Sequence, residues 1–265
     1  MGKRILTGVV ALFLLVPVLY FSETMAFPVI FGVLAAIAVY EFANCAGFKG
    51  ARALVALPLI LTAAAMPPLA RSSNNQQWLV LICLGVFIYL IFVAVFGYGK
   101  INVTDISALF FGFVYTAVAF SLLVVVRDSA PERYLLVFIA AWSTDTFAYF
   151  GGYLFGNRKL CPNLSPKKTV AGAIAGVVGA VASFMVFGLI VVGQGGSFDF
   201  AKYCAYAVIA SVASQTGDLA ASAIKRHYGV KDYGNLFPGH GGVLDRFDSI
   251  LFLTVGAYIL LTVLH

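Results

Sequence analysis

Two aspartates three residues apart, Asp245 and Asp248, open the last apolar stretch of this chain, and a third, Asp218, sits within the apolar stretch before it. Once a helix has begun, spacing of i and i+3 puts two carboxylates on one face, and two hard oxygen donors placed so suit Mg²⁺. Acids in a first helical turn also cap it, because the helix dipole favours negative charge there. The pair alone therefore reads either way. Asp218 has no such local reason for its place, and three acids converging from two helices favour a cation site. Asp145, after Trp142-Ser143-Thr144 and before the turn formers Gly151, Gly152 and Gly156, reads as a support for that cation or as the structural partner of a Lys or Ser on a neighbouring helix. Glu41, inside the second apolar run, reads as a snorkelling or structurally paired acid.

Phosphate chemistry is written into two further segments. Ser165-Pro166-Lys167-Lys168-Thr169 leads into an apolar run, so two ammonium groups, two hydroxyls and the free N–H groups of a helix start could hold phosphate. Ordinary anchoring of lysines at a membrane face is the competing reading. Between Asp218 and Asp248 lie Ser222, Lys225, Arg226, Lys231 and Arg246, and the glycines of His240-Gly241-Gly242 let the backbone approach a ligand closely. His240 could donate to a phosphate or a leaving group. Only 11% of the residues are charged, so this concentration of charge marks a functional site in a chain that otherwise avoids it.

The elements that must position these groups are membrane helices. Of 265 residues 62% are hydrophobic and 15% aromatic, and apolar runs long enough to cross a hydrocarbon layer of about 30 Å recur throughout. The expected fold is all-α, a polytopic integral membrane bundle of about nine transmembrane helices, near 5–21, 27–46, 53–70, 78–96, 106–126, 134–155, 170–193, 203–224 and 248–264. With the N-terminus cytoplasmic, every Lys and Arg except Arg71, Arg127, Arg133 and Lys202 falls in a cytoplasmic segment, as retention of basic residues on that side requires. The net charge of +6 follows from this asymmetry and from contact with anionic headgroups, and needs no nucleic acid. The first apolar run is longer than a signal-peptide core and reads as an uncleaved helix. Cys45, Cys83, Cys161 and Cys204 have no metal-site spacing and read as reduced, partly buried thiols. Residues 1–135 read as a transmembrane scaffold whose patches Ala35-Ala36 and Ala63-Ala64-Ala65 suit close helix packing and a homodimer. Residues 136–265 read as the catalytic transmembrane region, and the polar loop at about 225–247 as a cover over the site.

These segments together resemble the CDP-diacylglycerol synthase (phosphatidate cytidylyltransferase) family. The family signature is met by Ser222, Lys225-Arg226, Lys231-Asp232, Gly234, Phe237-Pro238, His240-Gly241-Gly242 and Asp245-Arg246-Phe247-Asp248. Gln215-Thr216-Gly217-Asp218, Ser165-Pro166-Lys167-Lys168-Thr169 and Asp145 followed by Ala148-Tyr149 also look like family motifs. One position departs, since Ala171 precedes Gly172 where family members usually carry Glu.

The resemblance implies transfer of CMP from CTP to phosphatidic acid, with Mg²⁺ required and room for a second cation. It implies metal binding by Asp218, Asp245 and Asp248, and catalytic roles for Asp145, Lys167, Lys168 and His240. Substrate contacts are implied for Ser165, Thr169, Ser222, Lys225, Arg226, Lys231 and Arg246. The implied location is the cell inner (plasma) membrane, with membrane lipids as surroundings and the active site facing the cytoplasm.

Two other classes compete with this reading, and the residues disfavour both. A CDP-alcohol phosphotransferase would carry an Asp-Gly-x-x-Ala-Arg run, and none occurs. A transporter would also place acids at membrane depth, but here they gather near one face beside lysines, without an inverted repeat.

Overall fold

The computed structural model describes residues 13–192, 199–237, 239 and 241–263, and within them the chain is helical almost throughout. The helices are α1 (residues 13–20), α2 (Ala26–Cys45), α3 (Ala53–Ala70), α4 (Asn75–Phe96), α5 (Val103–Phe113), α6 (Ala119–Ser129), α7 (Leu135–Phe155), α8 (Val170–Phe187), α9 (Phe200–His227) and α10 (Leu244–Val263). A π-helical turn, Val114–Val118, joins α5 to α6 into one long rod. A two-stranded antiparallel hairpin, β1 (Lys159–Cys161) with β2 (Ser165–Thr169), interrupts the helical pattern. Strands this short carry no readable periodicity, and none was expected from the sequence.

Among the described residues five segments are long and apolar enough to cross a membrane: Ala26–Cys45, Ala53–Ala70, Asn75–Phe96, Val103–Ser129 and Val170–Val191. The protein is thus an all-α, multi-pass membrane protein. Helices α7, α9 and α10 coincide with three further expected spans, and their polarity comes from Asp145, Asp218, Asp245 and Asp248. Of the first expected span, 5–21, only residues from 13 onward are described.

The described residues form two compact units, one from Met1–Ser129 with Tyr228–Phe247, the other from Ala130–His227 with Asp248–His265. In the first, the backbone of α3 closes on α2: a Cβ on Gly32 would stand 2.3 Å from the carbonyl oxygen of Ala64. Ala35 and Ala63 are fully buried in the same contact region. Ala35 and Ala63 thus serve contact between helices of one chain, while Ala65 of the same patch is exposed.

Polar groups between the helices sort by end. Arg71 donates to the carbonyls of Ser22, Glu23 and Thr24 and to Asp128, and Arg127 pairs with Glu23 and Asp128. These contacts gather the turns after α1, α3 and α6. Arg52 instead bonds Asp105, which with Asn102 forms a capping box at the start of α5. Turns that alternate in sequence thus share one end, as helices threading back and forth require.

In the second unit α8 presents glycines to α7. A Cβ on Gly172 would lie 2.7 Å from the carbonyl oxygen of Ala148, and one on Gly176 would lie 3.0 Å from that of Thr144. Thr144 in turn donates to Ser211 of α9 at 2.9 Å, and Gln215 reaches the carbonyl of Ala173, so α7, α8 and α9 are also tied by buried polar contacts.

Candidate active site

The second unit collects charge. Near the end of strand β2 stands Lys168, whose ammonium pairs with the carboxylate of Asp218 on α9. Two turns further along α9, Lys225 lies 3.9 Å from Asp248 near the start of α10, and both side chains are nearly buried. The charges of Asp218 and Asp145 also act on Asp248, opposed by that of Lys225. Lys168 with Asp218 and Lys225 with Asp248 thus pair lysines with acids, and Asp145 lies within electrostatic reach of Asp248. Taking such charges out of water is costly unless each is paired.

Local sequence explains how the groups come together. Gly217 precedes Asp218, and a Cβ there would lie 2.7 Å from that of Phe252, so the absence of a side chain lets α9 and α10 approach. Thr169 closes β2 and caps α8, its hydroxyl accepting from Gly172 N at 3.1 Å. Ser165 is half-buried and sits opposite Cys161 in the hairpin, whereas Lys167 is exposed. Ser222 is half-buried one turn beyond Asp218, and Arg226 is exposed.

In the first unit the segment before α10 is organised around two carboxylates. Asp245 Oδ2 accepts from Tyr233 N at 2.8 Å and from Gly242 N at 3.0 Å. Glu41 of α2 accepts from Val243 N at 3.0 Å and Leu244 N at 2.9 Å, one bond to each carboxylate oxygen. Of the two sequence readings for Glu41, structural pairing is the one observed. Gly241 has φ +82°, and a Cβ there would approach Asp245 Oδ2 to 2.7 Å, so both backbone and space call for glycine. Phe247 packs against Phe31 and Phe120, with ring centroids 6.2 and 5.3 Å away. Lys231 and Arg246 are exposed, and His240 lies outside the described residues.

The structure thus brings Asp145, Asp218 and Asp248 near Lys168 and Lys225, while Thr169 and Asp245 serve as local caps. Among the described residues no three His, Cys, Asp or Glu side chains form a ready-made metal cage. Carboxylates paired with lysines still fit Mg²⁺, which characteristically takes one or two carboxylates and completes its shell with water and substrate phosphates.

Fold and site together define a multi-pass helical membrane protein that pairs acids with lysines. A family model described as the cytidylyltransferase family matches residues 2–264, and the chain belongs to that family. A phosphatidate cytidylyltransferase of Staphylococcus haemolyticus (strain JCSC1435) is 32% identical over 259 residues, covering 96% of each chain. Another, from Bacillus subtilis (strain 168), is 41% identical over 151 residues, which is 56% of this chain and 55% of that protein. One from Thermotoga maritima is 38% identical over 141 residues, 52% of each.

Proposed function

We propose that this chain is a phosphatidate cytidylyltransferase, transferring CMP from CTP to phosphatidic acid to give CDP-diacylglycerol and pyrophosphate. The observation that carries the reading is the cluster of Asp145, Asp218 and Asp248 with Lys168 and Lys225 in a chain of the cytidylyltransferase family. A phosphate monoester already offers an anionic oxygen, so no side-chain nucleophile is needed. That oxygen forms a bond to the α-phosphorus of CTP, the bond from that phosphorus to the β-phosphate bridge breaks, and pyrophosphate leaves with the electron pair.

What the protein must supply is alignment and compensation of charge. Lys168 and Lys225, held against carboxylates, are placed to exchange those partners for phosphate oxygens. Asp218 and Asp248, with Asp145 in support, would hold Mg²⁺, which when bound neutralises charge on the triphosphate and the leaving pyrophosphate. Asp245 is a further metal-binding candidate from the same motif, and a second cation belongs to this reading. Lys167, Arg226, Lys231 and Arg246 are exposed cations suited to steer anionic substrates, with Ser165, Thr169, Ser222 and His240 as further contacts in the motifs.

The same reading has nine transmembrane helices, a cytoplasmic N-terminus and an active site on the cytoplasmic face of the cell inner membrane. The distribution of Lys and Arg supports it, as does the chemistry: soluble CTP must meet a lipid whose acyl chains stay in the bilayer. A homodimer formed through lipid-facing surface completes the reading, and sizing in detergent tests it. The decisive experiment incubates purified protein in detergent with labelled CTP, phosphatidic acid and Mg²⁺. Product should require all three and vanish in Asp218→Asn and Asp248→Asn. Full turnover in those variants would overturn the metal assignment, and no turnover by the wild type with any lipid phosphate would overturn the activity.

A further inference from the structure

Glu41 stands outside every motif of the site, in an α2 whose other residues are uncharged. An ionised carboxylate withdrawn into a helix bundle is tolerated only when its oxygens are satisfied. Both are: Oε1 accepts from Val243 N and Oε2 from Leu244 N, in a stretch where all three residues are buried. Those amides belong to the entrance of α10, where the first N–H groups of a helix have no partner of their own and the dipole favours negative charge. A cap of this kind normally comes from the preceding few residues, but here it comes from 202 residues away.

The surrounding chain is shaped to this carboxylate. A Cβ on Gly234 would stand 2.3 Å from Glu41 Oε1 and one on Gly242 would stand 2.2 Å from it, and neither glycine has positive φ. Space for Glu41 is therefore what these two positions supply. The neighbouring Phe42 ring stacks on Tyr233 at 6.3 Å, and the amide of Tyr233 is one of the two that bind Asp245. Glu41, Phe42, Tyr233, Gly242 and Asp245 thus close into one fabric at the start of α10.

We infer that Glu41 is a positioning residue for the reaction: by capping α10 from α2, its carboxylate fixes the turn that bears Asp245 and Arg246. This rests on the cytidylyl-transfer reading, in which those residues serve the phosphates and the cation. Because a misplacement of about 1 Å can cost on the order of 100-fold in rate, loss of the cap should appear in kcat more than in KM.

The test compares the full-length wild type with Glu41→Gln, Glu41→Asp and Glu41→Ala in detergent. It measures kcat, KM for CTP and for phosphatidic acid, Tm, and hydrogen–deuterium exchange across residues 229–247. In the wild type the amides of Val243 and Leu244 should exchange slowly. Glu41→Gln should lower kcat by at least about tenfold with a smaller change in KM, and raise exchange in this segment. Glu41→Asp, which still presents two acceptors, should recover part of the loss. Gly234→Ala, approaching the carboxylate from the loop, should reproduce the kcat defect.

The inference is overturned by fast exchange at Val243 and Leu244 in the wild type, a result that needs no variant to fold. It is also overturned by wild-type kcat in Glu41→Ala, or by variant activity that falls only in proportion to folded protein. An inactive wild type would defeat the cytidylyl-transfer reading instead, while the exchange pattern would still report on the cap.

Discussion

The ammonium of Lys168 is paired with the carboxylate of Asp218, so the last residues of the hairpin are tied to the C-terminal half of α9 by one partly exposed contact. Such a pair adds little to stability, since exposure and salt screen it. Its value lies in storing both groups where a phosphate and a cation can take them over. A lysine released from a carboxylate toward phosphate loses one charged partner and gains another, so substrate binding exchanges charge contacts rather than leaving a bare ion.

Exchanging the two residues separates the roles. Lys168→Asp combined with Asp218→Lys preserves an ion pair, so the unfolding free energy should stay within about 1 kcal/mol of wild type. Turnover should nonetheless fall by at least on the order of 100-fold, because the ammonium and the carboxylate now stand on the wrong elements. Near-normal turnover in the swapped protein would make the pair a structural tie and nothing more.

Lys225 and Asp248 predict an asymmetry. Both are nearly buried, and removing one member of such a pair typically costs about 3–5 kcal/mol. Lys225→Met strips compensation from Asp248 while Asp218 and Asp145 still press on it, whereas Asp248→Asn leaves Lys225 among the remaining acids. Thermal unfolding should therefore show the larger loss in Lys225→Met. Added MgCl₂ should restore more of its Tm than it adds to wild type, since a cation that binds only the folded state stabilises by mass action. Equal losses in the two variants, or no response to MgCl₂, would contradict this account.

The sequence made the helices legible because membrane helices announce themselves by uninterrupted apolar length. The acids were legible for the opposite reason, each being expensive where it stood. What stayed hidden were partners distant in sequence. For Lys168 the sequence left phosphate binding and membrane anchoring open without pointing to Asp218 on α9, and nothing local to Glu41 points to amides 202 residues away. For Asp245 the sequence left capping and metal binding open, and the fold commits its Oδ2 to the amides of Tyr233 and Gly242. Gly234 and Gly242 are visible in the sequence as glycines, but only the structure, in which they lack positive φ, shows that they serve space for Glu41 rather than backbone conformation.

Gly241 differs from those two glycines in having φ +82° as well as a crowded Cβ position. Gly241→Ala should thus combine backbone strain of about 1–2 kcal/mol with displacement of Asp245, lowering both Tm and kcat. Gly85, in α4, has nothing within 4 Å of where a Cβ would stand, so Gly85→Ala should leave Tm and turnover close to wild type. Equal behaviour of the two variants, measured side by side, would remove the argument that the loop geometry matters to the reaction.

The polar ties in the first unit allow membrane orientation to be tested without reference to activity. Arg71, Arg127, Glu23 and Asp128 gather at one end, while Arg52 pairs with Asp105 in turns that alternate with those. In a chain whose Cys45, Cys83, Cys161 and Cys204 have been replaced by alanine, Ser73→Cys and Lys100→Cys place one exposed thiol in each kind of turn. With the N-terminus cytoplasmic, a membrane-impermeant maleimide should label position 73 on intact cells and position 100 only after lysis, because basic residues stay preferentially inside. The reverse pattern would invert the orientation and put the charged hairpin on the far side from CTP. Labelling of both positions from one side would instead break the alternation of the first helices on which the whole topology rests.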